Sequence, residues 1–162
     1  MKVKRILIMG LPGSGKTTLA KALEDLFVSI SKSVVWYNAD HVREQNNDWD
    51  FSEEGRIRQS TRMRELADAA DADYVVCDFV APLVVMRQNF DADYTIWMDT
   101  VTSSDYEDTD RLFVVPKKYN FCVNTKDASY WVPQIAKHIL FLENLNETKI
   151  QTRLYADGTN VC

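Results

Sequence analysis

One run near the start of the chain constrains its fold more than any other: Gly10-Leu11-Pro12-Gly13-Ser14-Gly15-Lys16-Thr17, directly after the apolar segment Arg5–Met9. It satisfies the pattern G-x-x-x-x-G-K-[ST], with Gly10 and Gly15 in the two glycine places, a strand-like run before it and a helical pattern after it. Glycines let the backbone curl until its N–H groups point inward at phosphate oxygens, and the following helix adds the positive end of its dipole. Within such a cradle Lys16 is expected to bridge the β- and γ-phosphates and the Thr17 hydroxyl to ligate Mg²⁺, with Gly13, Ser14 and Thr18 completing the binding loop. The expected ligands are therefore ATP and magnesium.

The rest of the chain reads as strands alternating with helices. Val3–Met9, 33–38, 74–80, 94–100 and 120–125 are short apolar runs without polar alternation, as expected of strands buried on both faces. From Lys16 to Ser31, Leu19, Leu23, Leu26, Phe27 and Ile30 fall at helical spacing. A second stripe runs through Ile57, Thr61, Leu66 and Ala70, and a third through Trp131, Ile135, Ile139 and Leu142. Ahead of the second, Ser52 is followed three places later by Gly55, which lacks the side chain a capping box requires, although Glu53 and Glu54 suit a helix N-terminus. The pattern predicts an α/β three-layer sandwich with a five-stranded, mostly parallel sheet, the P-loop NTPase fold of nucleotide-kinase type. Ligands gather at the carboxyl ends of strands in such a sheet, and Asp40, Asp78 and Asp99 all fall there. The expected domain is 1–142; 143–162 reads as an extension of unknown role, with helix, edge strand and frayed tail all open.

The formal charge of −5 offers no field for polyanions, so any anionic ligand needs a local basic cluster, and long polynucleotides are disfavoured. Cys77, Cys122 and Cys162 are widely spaced without a CxxC pair, which suits free thiols in a reducing compartment. The apolar run before Gly10 is too short for a signal peptide, and nothing approaches a membrane span; the expectation is a cytoplasmic protein. A homodimer is among the assemblies this composition admits.

A GTPase switch would carry D-x-x-G, which occurs nowhere, and N-K-x-D, from which Asn124-Thr125-Lys126-Asp127 departs by placing its lysine one position late. A motor ATPase would be larger. Carboxylates and arginines near the strand ends suit phosphoryl transfer, which needs charge neutralisation, in-line positioning and exclusion of water.

Several segments resemble adenylylsulfate kinases, which phosphorylate the ribose 3′-hydroxyl of adenosine 5′-phosphosulfate (APS). "GLPGSGKTTLAKALE" is similar to that family's P-loop and first helix. In "YNADHVR" (37–43), Asp40, Val42 and Arg43 match, while Asn38 stands where the family has an aspartate. In "FSEEGRIRQSTRMRELAD", Phe51, Ser52, Arg56 and Arg62 match and Gln59 stands for an asparagine. "APLVVMR" matches through Pro82, and Tyr106, Asp110, Phe113 and Pro116 fit the family's aromatic-Thr-Gly-Ile-Asp run. The resemblance spans roughly residues 3–125 and implies a small-molecule kinase with APS as acceptor. The chain departs from it between Asp99 and Tyr106, where six residues replace a long basic helical lid. Arg43, Arg56, Arg62, Arg87 and Arg111 are the candidates to restore that charge; otherwise the acceptor is another hydroxyl, on a nucleoside, a sugar or a nucleic-acid end. A regulatory module that hydrolyses ATP poorly is the rival from a different class.

Individual residues carry two readings each. Asp40 can orient or deprotonate the attacking hydroxyl, or cap a helix beginning at His41. Asp78 can hold Mg²⁺ through water, or simply end a strand. Arg43, Arg56 and Arg62 can clamp the acceptor's anionic group, or line a solvated helix face. Phe51, Tyr106 and Phe113 can stack on a purine, or pack in the core, with Phe113 best placed of the three.

Overall fold

The computed structural model describes residues 2–156. Five strands, β1 (Lys4–Met9), β2 (Val34–Asn38), β3 (Tyr74–Asp78), β4 (Tyr94–Met98) and β5 (Phe121–Val123), form one sheet in the order β2-β3-β1-β4-β5. Every pairing is parallel. The hydrophobic pattern of β1 explains its central place. Ile6 and Ile8 face one side and Leu7 and Met9 the other, and all four are buried. A strand apolar on both faces can only sit between two layers of helices.

One layer is α1 (Lys16–Ser29) and α6 (Ala128–Ala156), whose Leu19, Leu23, Phe27, Ile135 and Ile139 pack on Ile6, Ile8, Val76 and Ile96. The other is α3 (Glu53–Ala69) and α4 (Val84–Phe90), whose Met63, Ala67, Met86 and Phe90 pack on Leu7, Met9, Val75 and Cys77. Arg5 is the charged exception within β1. It is 2% exposed, donating to the Asp91 carbonyl and pairing with Asp68 at 3.2 Å, so it ties α3 to the turn after α4.

Two further helices, α2 (Ala39–Asn46) and α5 (Glu107–Leu112), are short and lie beside the carboxyl ends of the strands. The strands are one to three residues shorter than their apolar runs suggest: β1 and β2 begin one residue later, β3 and β4 end two residues earlier, and β5 is trimmed at both ends. The helix read as closing at Leu142 continues without a break, so 143–156 extends it as helix. Cys162 and the rest of 157–162 lie outside the described residues. Among the described residues, no helix is long and apolar enough to cross a membrane.

Candidate active site

The loop between β1 and α1 is shaped by three glycines with positive φ. At Gly10 (φ 153°) a Cβ would stand 2.7 Å from the Met98 carbonyl oxygen, so only glycine lets β1 leave the sheet beside β4. Gly15 (φ 98°) is left-handed and serves as the N-cap of α1. No side chain caps that helix end, and its first turn holds no acidic residue. Its amides are thus left for an anion, where α2 and α3 spend theirs on side-chain caps. Thr100 donates to the Ser14 carbonyl at 2.6 Å and braces the loop from the β4 side.

Lys16 folds back over this loop, its Nζ donating to the Leu11 carbonyl at 3.0 Å. Burial lowers its pKa to about 8, against the partial opposition of the Asp78 and Asp40 carboxylates. A buried ammonium so depressed is one whose full counter-charge is not supplied by the protein.

Beside it, adjacent strand ends place Asn38 opposite Asp78 in the parallel register. The Asn38 amide donates to Asp78 Oδ1 at 2.7 Å and to Thr17 Oγ1 at 3.3 Å, and its own carbonyl accepts from the Asp40 and His41 amides. Asn38 is therefore the cap of α2, and Asp40 sits inside the first turn; the expectation that Asp40 caps this helix is corrected. An Asn at the cap satisfies the end amides as well as Asp does, while its NH₂ reaches the other way into the site. Trp36 Nε1 donates to the second Asp78 oxygen at 3.0 Å. Burial raises the Asp78 pKa, and these two donors and Lys16 work against that rise.

Opposite the phosphate loop, residues 48–51 form a corner held by arginines. Arg43, 5% exposed, donates to the carbonyls of Asp48 (3.0 Å) and Asp50 (3.1 Å), and its guanidinium lies 4.4 Å from the centre of the Phe51 ring. Arg56 is equally buried, donating to the Phe51 carbonyl at 2.8 Å and the Thr109 hydroxyl at 2.9 Å, with Asp108 at 3.4 Å. Both guanidinium groups thus lie close to one exposed aromatic ring, Arg56 at 5.5 Å from its centre. Ser52 caps α3 by accepting from the Gly55 amide at 3.1 Å. The side chain missing at Gly55 is explained by the same corner: a Cβ there would run into the Asp50 carbonyl.

These parts surround one cleft of about 940 Å³. It is lined by Gly13, Gly15, Lys16, Thr17 and Thr18 on one side and by Asn38, Asp40, Arg43, Phe51, Arg56 and Gln59 on the other. Asp78 forms part of its floor, and Trp49, Tyr106, Asp108, Thr109 and Lys126 complete its walls. Several residues singled out in the sequence do not line it. Arg62 pairs with Asp48 at 2.9 Å and donates to Gln59, bracing the corner from behind. Phe113 packs under Arg87, whose guanidinium lies 5.4 Å from its ring while it donates to the Ala81, Pro82 and Val114 carbonyls. Arg87 and Arg111 likewise do not line the cleft; Arg111 donates to the Glu107 carbonyl within α5. Gly10 and Ser14 belong to the loop but do not line the cleft, Ser14 being fully buried. Asn38, Trp49 and Lys126 were not singled out as site residues: each is a polar or aromatic side chain in a loop or strand end, and only the parallel register and the β5–α6 turn bring them together.

The donor set also fits a magnesium ion. The Thr17 hydroxyl and the Asp78 carboxylate are oxygen donors bridged by one amide, and among the described residues no group of three or more His, Cys, Asp and Glu gathers to hold a metal by itself. Mg²⁺ characteristically takes one or two protein oxygens and leaves the rest to phosphate and water. The glycine cradle with its uncapped helix end fits a phosphate chain.

A parallel sheet in this order, a glycine phosphate loop and a cleft opening beside it define a P-loop domain with the architecture of the small kinases. The chain belongs to the adenylylsulphate kinase family, whose model matches residues 2–101. A curated relative, the bifunctional enzyme NodQ of Rhizobium tropici, is 38% identical over 78 residues, which is 46% of this chain and 12% of that protein. The chain thus corresponds to only 12–14% of the length of the curated relatives it matches. Among solved structures, the Mycobacterium tuberculosis APS kinase in complex with AMPPNP and APS superposes with a TM-score of 0.67 at 18% identity, covering 84% of this chain and 96% of that one. The shikimate kinase of Acinetobacter baumannii, solved with shikimate, gives 0.57 at 16% identity, covering 85% and 93%.

Proposed function

We propose that this chain transfers the γ-phosphoryl group of ATP to the 3′-hydroxyl of APS, giving 3′-phosphoadenosine 5′-phosphosulfate and ADP. The observation that carries the reading is that one cleft holds an uncapped phosphate cradle and, facing it, a carboxylate and two buried arginines around an exposed aromatic ring. Membership of the adenylylsulphate kinase family supports the choice of acceptor.

The cradle amides and Lys16 hold the triphosphate of ATP, and Lys16 stabilises charge on the oxygens of the transferred group. Thr17 and Asp78 would hold Mg²⁺, which when bound would neutralise phosphate charge. Asn38 fixes Thr17 and Asp78 relative to each other. Asp40, exposed in the cleft next to Lys16, accepts the proton of the attacking hydroxyl as its oxygen bonds to the γ-phosphorus and the bond to the β-phosphate oxygen breaks. Phe51 and Tyr106 stack on the adenine of APS, and Arg43 and Arg56 balance its phosphosulfate. The short segment 100–105 carries no cation, so Lys16, Arg43 and Arg56 contribute to the charge balance.

ADP release measured with and without APS, and with a panel of nucleosides, sugars and polyols, tests the reading. APS-dependent release supports it. Release that responds instead to another hydroxyl compound moves the acceptor elsewhere. Tight ATP binding with no acceptor response replaces it with a regulatory module.

A further inference from the structure

The cations of the cleft differ in what else they hold. Lys16 donates to Leu11, Arg43 to the Asp48 and Asp50 carbonyls, and Arg56 to Phe51 and Thr109. Lys126 lines the same cleft and, among the described residues, has neither a carboxylate within ion-pair distance nor a hydrogen-bond partner. Its Cγ stands 4.0 Å from the point a Cβ on Gly15 would occupy, so its stem passes over the end of the phosphate loop where α1 begins.

The backbone that carries it is fixed on both sides. Trp131 Nε1 donates to the Thr125 hydroxyl at 2.9 Å. Asp127 caps the start of α6, accepting from the Ser129 hydroxyl at 3.1 Å and the Tyr130 amide at 3.2 Å. Anchoring the neighbours on either side fixes the backbone that carries it, so only the side chain remains to be ordered when it meets a ligand.

The sheet order says which part of a bound nucleotide it meets. Asp40, Arg43 and the acceptor corner lie over the β2–β3 half, and Lys126 follows β5 at the opposite edge, with β1 and its loop between. A phosphate chain on the loop must direct its reacting end toward the acceptor, so its nucleoside end points toward β5. We infer that Lys126 is a nucleotide-binding residue that pairs with the phosphates nearest the nucleoside, supplying a cation that the short segment 100–105 lacks. This rests on the kinase reading above for the direction of the chain.

Calorimetric titration of Mg·ATP, ADP and AMP into wild type, Lys126→Ala and Lys126→Arg tests it. Lys126→Ala should weaken all three by a similar factor, about five- to tenfold, and make the affinity for ATP less sensitive to salt. Lys126→Arg should return to within about twofold of wild type, the charge being retained. Unchanged affinities in Lys126→Ala overturn the inference. So does a loss confined to ATP, which would put the contact at the reacting end, or an equal rise in the inhibition constant of adenosine, which would put it on the base. If wild-type protein itself binds no nucleotide, the kinase reading is what has failed; if it binds and Lys126→Ala binds equally well, only the role of Lys126 has.

Discussion

The two walls of the cleft are made of different material. The phosphate wall is backbone: consecutive residues, glycines in left-handed conformations and a helix end whose amides no side chain has claimed. The acceptor wall is side chain, assembled from α2, the 48–51 corner, α3 and α5, and its arginines are already engaged in holding that corner together. The first wall is ready for its ligand before the ligand arrives. The second is a structural strut, so on the proposed reading the contacts that recognise the acceptor are also those that hold the corner together. Asn38 joins the two, touching Thr17 on one side and capping α2 on the other.

That contrast can be broken by substitution. Lys16→Ala should lower kcat by about a thousandfold with the melting temperature nearly unchanged, since among the described residues its side chain bonds to a single loop carbonyl. Asp40→Asn should cost about a hundredfold in kcat while the Kd for ATP moves by less than about twofold; a change confined to ATP binding would remove Asp40 from the acceptor chemistry. Asp78→Asn should raise the magnesium concentration needed for half-maximal rate by about tenfold, read from a magnesium titration. Of the arginines, Arg56→Ala should raise the KM for the acceptor by about tenfold, as its proposed clamping role requires, and lower the melting temperature as well, because it holds the Phe51 carbonyl and the Thr109 hydroxyl. Arg62→Ala should lower only the melting temperature, because its bonds are to Asp48 and Gln59 behind the corner.

The smallest effect is on pH. In the free protein Lys16 loses its proton near pH 8, below the ordinary lysine value, because burial disfavours the ammonium. A bound polyanion favours the charged form and raises that pKa. Binding therefore takes up protons between about pH 8 and the ordinary range, and affinity for ATP falls as pH rises through 8. Titrations in buffers of different ionisation enthalpy should show the proton uptake, and Lys16→Ala should abolish it.

The same division explains what could be read in advance. The phosphate wall is contiguous, and its spacing alone predicts the strand, the loop and the helix that the fold contains. The parallel sheet follows from strands apolar on both faces, as in Ile6–Met9. The acceptor wall is written in residues whose partners lie far along the chain. Arg56 reaches Thr109, and Asn38 reaches Asp78 only because β2 pairs with β3 in register. Arg56 and Arg62 are six residues apart on one helix, about 120° around its axis, and the first lines the cleft while the second pairs with Asp48. Phe113, the best placed of the aromatic candidates in sequence, is drawn under Arg87, and Phe51 and Tyr106 face the cleft instead. The helices α4 and α5, of seven and six residues, are too short for a periodic stripe to declare them.

The most direct measurement follows the label from [γ-³²P]ATP in the presence of APS. The account predicts that it appears on the ribose 3′-position of the acceptor, in step with ADP, and that Lys16→Ala abolishes the transfer. Label released only as inorganic phosphate, at a rate indifferent to APS, would contradict it.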